Sequence, residues 1–469
     1  MKKETSGGFS SSIGFVLSAA GSAVGVGNIW RFPYLAARDG GGLFILVYIL
    51  LILTFGFTLL TTDIAIGRKT GEHAISAYKS MHPKWGFLGK LTFVVPAIIM
   101  TFYPIIGGWV TKYIVTYATG AGSAAADSSY FTGFITSHVS PIAYTLFFIA
   151  ITAVIVYRGV EKGIEKFSTI VMPILFLMVV GIAIFSLTLT HTDASGETRT
   201  GLQGLAVYLI PNFEGLTLQR FLNILMDAMG QLFFSLSVSM GIMVTYGSYV
   251  KKETNLSKSI SQIEFCDTFV ALLAGMMLIP AVYVFMGLEG MESGAKLMFI
   301  SLPKVFESMG AAGGIIGLIF CTMVAFAALT SCVSILETLV ASCSKMFNTS
   351  REKMCIIISL LAAAGATIIC LGYNVFYFEV NLPNGAMNQQ MLDVFDYFAN
   401  NVLMPLISLL SCILIGWVVK PNWIAEEMEK NGHKFSRKAL YIVMIKYIAP
   451  VLMAILFVQS TGILNLFSK

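Results

Sequence analysis

Two short runs hold the groups best suited to chemistry. The first is Gly21-Ser22-Ala23-Val24-Gly25-Val26-Gly27-Asn28, inside an apolar stretch that begins near Ile13 and continues past Trp30-Arg31-Phe32. Glycine is weaker than alanine inside a helix by about 1 kcal/mol, and Pro33 removes a further amide from the ladder. The run therefore predicts two half-helices joined by an unwound linker. Within a bilayer, bare backbone is tolerated only where protein covers it or a cavity solvates it. It then offers free N–H groups at one half-helix end and free C=O groups at the other, ligands for an anion and for a small hard cation. The second run is Phe233-Phe234-Ser235-Leu236-Ser237-Val238-Ser239-Met240-Gly241. Serine at every other position competes for backbone hydrogen bonds and suits an unwound segment.

The elements that must position these runs are membrane spans. The chain has 469 residues, 56% hydrophobic and 12% charged, with a mean hydropathy of +0.80. That excludes a soluble globular protein and predicts an all-α polytopic membrane protein in the cell (inner or plasma) membrane. The net charge of +5 does not indicate nucleic acid, because the basic residues lie in short loops between apolar runs. The cysteines are odd in number and fall inside or at the edges of apolar spans, which argues against a disulfide framework. Met1 to Ser10 is polar and no small-residue cleavage site follows, so the first span is expected to be retained.

A span needs about 20 apolar residues, and eleven segments satisfy this: roughly 12–37 (broken), 42–67, 91–117, 141–157, 167–188, 218–249 (broken), 259–287, 312–344, 354–373, 392–418 and 440–466. Alternate loops collect the Lys and Arg residues, among them Lys2, Lys3, Arg68, Lys69, Arg158, Lys162, Lys251, Lys252, Lys345, Arg351, Arg437 and Lys438. Arg199, Lys296, Lys304 and Lys469 face them across the membrane. The positive-inside rule then places the N-terminus in the cytoplasm and the C-terminus outside. Of the longer outer loops, 288–311 contains an amphipathic stretch, residues 294–303, that could fold back as a lid. The two breaks fall in spans one and six, five spans apart. Matching interruptions predict two five-helix inverted repeats with a site at mid-membrane. The expected organisation is a cytoplasmic tail 1–10, a first repeat 11–190, an inverted second repeat 215–420 and an eleventh helix 438–469.

The residues at these positions also resemble a known family. Gly25-Val26-Gly27-Asn28-Ile29-Trp30-Arg31-Phe32-Pro33-Tyr34 is similar to the first-helix signature of the neurotransmitter:sodium symporters. Gln231-Leu232-Phe233-Phe234-Ser235-Leu236-Ser237 is similar to their sixth-helix motif, Leu329-Thr330-Ser331 to the eighth-helix sodium motif, and Gly159 to Pro173 to the fifth helix. The likeness runs over nearly the whole chain. It implies the leucine-transporter fold, with helices 1 and 6 unwound, and sodium-coupled uptake of an amino acid.

The same resemblance assigns residues. The amides of Val26 and Gly27, with the Tyr103 hydroxyl, would hold a substrate carboxylate. A first sodium would take the Ala23 carbonyl, the Asn28 amide oxygen, Ser235 and Asp267. A second would take the carbonyls of Gly21, Val24 and Ala327 with the hydroxyls of Thr330 and Ser331; Ala327, Thr330 and Ser331 share one helix face. Ser22, Ile99, Phe234, Ser237, Ser239, Met240, Ser334 and Ile335 would line the side-chain pocket. None is charged, so a neutral, hydrophobic or aromatic amino acid is the expected substrate. Asp267 stands where many relatives carry Asn, and Ala271 lacks the hydroxyl that chloride-binding relatives use. Transport is therefore expected to need two sodium ions, no chloride and no organic cofactor. Arg31 and Asp396, with Gln231 and Phe234, would form the outer gate. Gly163 and Pro173 would be a hinge in span five. No N-terminal Arg is available for an inner gate, and Phe9 stands where relatives carry Trp. Asp63 is expected to cap loose amides of the breaks.

There is no dinucleotide or Walker loop, no Cys/His metal pattern and no nucleophile triad, so an enzyme is not expected. The expected partners are the amino-acid substrate and the bilayer, with no nucleic acid, in a monomer or weak dimer. A transporter of the same fold coupled to protons through Asp63 or Asp267, or carrying another small solute, stays open beside this reading. So does a sensor without net flux.

Overall fold

The computed structural model describes residues 8–193, 196–291 and 294–463. The expected tail therefore lies largely outside the described residues, as do Lys2, Lys3 and Lys469. Nine helices among the described residues are long and apolar enough to cross a membrane. They are α3 (Gly42–Thr70), α4 (Pro83–Ala118), α5 (Ser140–Tyr157), α6 (Val160–Leu187), α9 (Leu256–Met286), α10 (Ala311–Met346), α11 (Arg351–Leu371), α12 (Met391–Val418) and α13 (Lys438–Thr461). The pair α1 (Ser12–Ala23) and α2 (Gly27–Arg38) passes the same test together and bends by 56°. The other interrupted segment is α7 (Leu218–Ser235) followed by α8 (Ile242–Ser248). Gln219, Arg220, Asn223 and Asp227 make the first half of α7 too polar to count as a simple span.

Both breaks form where the residues predict. α1 ends at Ala23, and Val24 turns out of the helix at φ −72°, ψ 87°. The chain re-enters through a wide turn at Gly27–Arg31, with Pro33 within the first two positions of the following α-helix, where its missing amide is harmless. Between α7 and α8, Ser237 (φ 52°) and Ser239 (φ 62°) take the left-handed conformation, as does Gly241 (φ 77°). That geometry is unfavourable for a side-chain-bearing residue and persists only where surroundings enforce it. Here the Ser237 hydroxyl donates to the Ser22 carbonyl at 2.9 Å, and the Ser239 amide donates to Asp63 Oδ2 at 2.8 Å. Asp63 thus caps a loose amide, as its position suggested.

The two breaks face each other in opposite directions. Ser22 lies against Ser237, Gly27 against Gln231 and Arg38 against Asp227, so one chain ascends as the other descends. The 294–303 stretch folds back over the bundle. Its wide turn Leu297–Ser301 leads into a helix Leu302–Ser308. Phe299 stacks on Phe131 at 4.8 Å and accepts the Tyr113 hydroxyl on its carbonyl at 2.8 Å.

The side bearing the N-terminus is closed by a different set of contacts. Phe9 is buried among Phe15, Tyr246 and Tyr249. Glu337 accepts from Arg351 and, at 2.6 Å, from the Tyr249 hydroxyl. The cation thus comes from the start of α11. Beside it, the His73 ring meets Ser248 Oγ at 3.1 Å and Tyr249 edge-on. Burial pushes its imidazole from 6.5 down to about 4. The unfolded chain therefore binds the extra proton between these values, and stability falls as pH drops from about 6.5 to about 4. His73→Gln should flatten that part of the stability profile, read as melting temperature of the purified protein across pH.

Candidate functional site

The breaks face a cavity of about 390 Å³, counting the space at its open mouth, lined by Ser22, Ala23, Gly25, Gly27, Asn28, Ile99, Tyr103, Phe234, Ser235, Ser237, Met240, Ile242, Ser331 and Ile335. Four elements converge there: the α1–α2 break, α4, the α7–α8 break and α10. One end is polar and the other apolar. At the polar end the Gly25 amide donates to Asn28 Oδ1 at 3.1 Å, and the Val26 amide to the Tyr103 hydroxyl at 3.3 Å. At the apolar end lie Ile99, Met240, Ile242 and Ile335. Gly27 supports the roof: a Cβ there would sit 2.7 Å from the Phe234 ring. Gly27→Ala should displace that ring and weaken ligand binding by about tenfold or more, measured by equilibrium binding, since misplaced first contacts are costly.

Beneath the cavity, three oxygens gather. Asp267 is fully buried, and its Oδ1 accepts from Asn28 Nδ2 at 2.8 Å and from Ser235 Oγ at 2.6 Å. Ser235 Oγ also lies 3.1 Å from Asn28 Oδ1, and Tyr48 donates to Asp267 Oδ2 at 3.3 Å. Hard oxygens from a hydroxyl, an amide and a carboxylate suit an alkali or alkaline-earth cation rather than a soft metal. A second group lies on α10. The hydroxyls of Thr330 and Ser331 stand 3.0 and 3.1 Å from the Ala327 carbonyl. Gly21 lies so close that a Cβ on it would be 3.2 Å from Thr330, and Val24 ends the same helix. Among the described residues no group of three His, Cys, Asp or Glu is placed to hold a metal.

Several expected residues sit elsewhere. Ser334 does not line the cavity: its hydroxyl donates to the Thr330 carbonyl at 2.9 Å and accepts from Tyr246 at 2.8 Å, so both roles are filled. Val26 lines the neighbouring vestibule rather than the cavity, and the Ser239 amide is held by Asp63. Gly25 and Ile242 were not singled out by sequence, yet both line the cavity. A Cβ on Gly25 would lie 3.2 Å from both Ser331 Oγ and Tyr103 OH, and that glycine was the available signal.

Above Phe234 a vestibule of about 840 Å³ holds Trp30, Arg31, Tyr103, Trp109, Asp393 and Asp396. Arg31 and Asp396 both line it, and among the described residues no direct ion pair joins them. The Asp396 carboxylate accepts instead from Asn400, one turn on, at 2.6 Å. Gln231 Nε2 donates to the Gly27 carbonyl at 3.1 Å, tying the two breaks together rather than reaching Arg31. At the expected hinge the backbone is wound: α6 runs without interruption from Val160 through Gly163 and Pro173 to Leu187. A Cβ on Gly163 would lie 2.1 Å from the Ile155 carbonyl, so this turn packs directly on the preceding helix.

The sequence profile of the sodium:neurotransmitter symporter family matches residues 6–132 and 134–466. The chain belongs to that family. It is 35% identical over 464 residues to a Bacillus subtilis protein described as an uncharacterized sodium-dependent transporter, YhdH, covering 97% of this chain and 98% of the relative. The human sodium- and chloride-dependent GABA transporter 2 is 24% identical over 463 residues, covering 86% of this chain and 71% of the relative. Among solved structures, that of MhsT in complex with L-phenylalanine superposes with a TM-score of 0.83 at 31% identity, over 97% of this chain and 99% of that one. This symporter is therefore a multi-pass membrane protein of the leucine-transporter fold. It is a secondary transporter rather than an enzyme, and it couples solute movement to sodium.

Proposed function

We propose that this symporter imports a neutral, hydrophobic or aromatic amino acid together with two sodium ions, without chloride, by alternating access. The observation that carries this reading is the division of the cavity. A backbone amide, the Tyr103 hydroxyl and Asn28 crowd one end, and the apolar end bears no charged side chain. A zwitterionic head group fits the first, and a charged side chain would be buried without a partner in the second. The L-phenylalanine in the MhsT structure is a ligand of the expected kind.

In this reading the Val26 and Gly27 amides and Tyr103 hold the carboxylate. Ala23, Asn28, Ser235 and Asp267, together with that carboxylate, hold the first sodium. Gly21, Val24, Ala327, Thr330 and Ser331 hold the second. Because the substrate carboxylate completes the first shell, neither ligand binds fully alone, which is the source of coupling. Asp267 supplies the counter-charge that chloride provides elsewhere. Arg31 and Asp396 close over Phe234 as the vestibule contracts, and α6 loosens at Gly163 and Pro173 to release the second sodium inward. The chain crosses the membrane eleven times from a cytoplasmic N-terminus, with two inverted repeats at 11–190 and 215–420.

The test is equilibrium binding of each amino acid to purified protein in sodium and in choline. Leucine- to tryptophan-sized neutral amino acids should compete in sodium and fail in choline. Failure of every neutral amino acid to compete would refute the pocket reading.

A further inference from the structure

Glu165 closes the first turn of α6, two residues after Gly163, and its side chain is buried at 4% exposure. Its carboxylate is spent on the start of α1. Oε2 accepts from the Ser10 amide at 2.7 Å. Oε1 accepts from the Ser10 hydroxyl at 2.8 Å, the Ser11 amide at 3.1 Å and the Ser11 hydroxyl at 2.8 Å. Ser11 is itself the N-cap of α1, accepting from the Gly14 amide at 2.9 Å. Gly14 makes the approach possible, for a Cβ there would fall 1.8 Å from Glu165 Oε1. Lys251, just beyond α8, adds a bond to the Ser10 carbonyl at 2.7 Å. Hydrogen bonds to an ionised acceptor are roughly twice as strong as neutral ones, and a negative charge at a helix start is further favoured by the peptide dipoles.

The far end of α1 carries Gly21 and runs into Val24, two of the carbonyls read above as ligands of the second sodium. The opposing oxygens, Ala327, Thr330 and Ser331, belong to α10. Any tilt of α1 therefore separates the two halves of that set. We propose that Glu165 is a positioning residue for transport: it latches the inner half of span one to span five and thereby sets the affinity of the second sodium set. Loosening α6 near Gly163 carries Glu165 away and frees Ser10 and Ser11, so the hinge and the ion set open as one event. By reciprocity, sodium bound at the far end holds the latch closed. This rests on the sodium-symport reading above.

The experiment compares wild type, Glu165→Gln and Ser10→Ala/Ser11→Ala as full-length protein in nanodiscs. Hydrogen exchange is read over residues 8–23, and amino-acid binding is titrated with sodium. Glu165→Gln should raise exchange over 8–16 by roughly tenfold or more, as a locally opened segment does. It should raise half-saturating sodium about fivefold or more, the lower range for coupled sites, while binding at saturating sodium is retained. The double alanine variant should move both in the same direction and by less. Unchanged exchange over 8–16 overturns the latch, and so does faster exchange with unchanged sodium dependence. If Glu165→Gln exchanges faster in every helix, the double variant decides, because it leaves the carboxylate in place. Should wild type bind no amino acid at any sodium concentration, the symport reading fails, and protection of 8–16 by sodium alone still tests the latch.

Discussion

Asp267→Ser should reduce sodium-driven uptake at least about 100-fold in chloride-free medium, equivalent to about 2.7 kcal/mol. The side chain is fully buried and accepts from three donors, on Asn28, Ser235 and Tyr48. A serine at this position is too short to meet all three, and each donor left without a partner costs about 1–3 kcal/mol. It also removes the only side-chain carboxylate proposed for the first sodium shell, so the cation would enter a dry site with the substrate carboxylate as its sole counter-charge. The void left by the carboxylate could admit an anion. External chloride should therefore restore part of the lost uptake, and gluconate should not. The measurement is initial-rate uptake of a bound amino acid into proteoliposomes across chloride concentrations, with monodispersity of the purified variant as the folding control. Uptake equal to wild type in chloride-free medium would remove Asp267 from the ion site.

The second large effect lies far from the cavity. Glu427→Ala should destabilise the protein by about 3–5 kcal/mol, because it strands a buried guanidinium. Arg68 ends α3 with its side chain 1% exposed, and Glu427, in the short helix Asn422–Met428, is 2% exposed. Arg68 Nε donates to Glu427 Oε1 at 2.7 Å, and Nη1 to the Thr254 carbonyl at 2.6 Å. The pair thus pins the loop between α12 and α13 onto the end of α3 and onto the turn before α9. Replacing both partners, Arg68→Met with Glu427→Leu, should recover much of the loss, since well-packed apolar residues often substitute for a buried ion pair without penalty. Thermal unfolding of the detergent-solubilised variants, followed by size exclusion, reads both results. A single variant as stable as wild type would show that water reaches Arg68 and that the clamp is not closed in solution.

Much of this architecture was legible without coordinates because a bilayer leaves few options. Apolar runs of span length must be helices, and interruptions rich in Gly or Ser must face protein or a cavity. That logic located the breaks at 21–28 and 235–241 and paired Asp63 with a loose amide. The structure places the half-helices Ser12–Ala23 and Gly27–Arg38, and the left-handed serines 237 and 239, where those runs predicted.

What could not be read was the direction of individual side chains and the long-range partners that set it. Ser331 and Ser334 lie one turn apart on α10, and helical spacing cannot say which one faces the cavity. Tyr246, from a distant segment, captures Ser334 and settles it. Arg31 and Asp396 have the types of a gate pair, yet their separation is fixed by how α2 and α12 sit across the vestibule, and Asn400 meets the Asp396 carboxylate instead. Glu165 reads in sequence as one more charge in a basic loop, but folding brings it to Ser10, 155 positions away. The sequence by itself determined the all-helical membrane architecture, the two ruptures and the chemistry of the oxygens near them, because local backbone satisfaction in lipid is a local constraint. Only the tertiary structure decided which oxygens converge, which hydroxyls are already spent and which carboxylate holds the first helix, because those outcomes depend on packing between elements far apart in the chain.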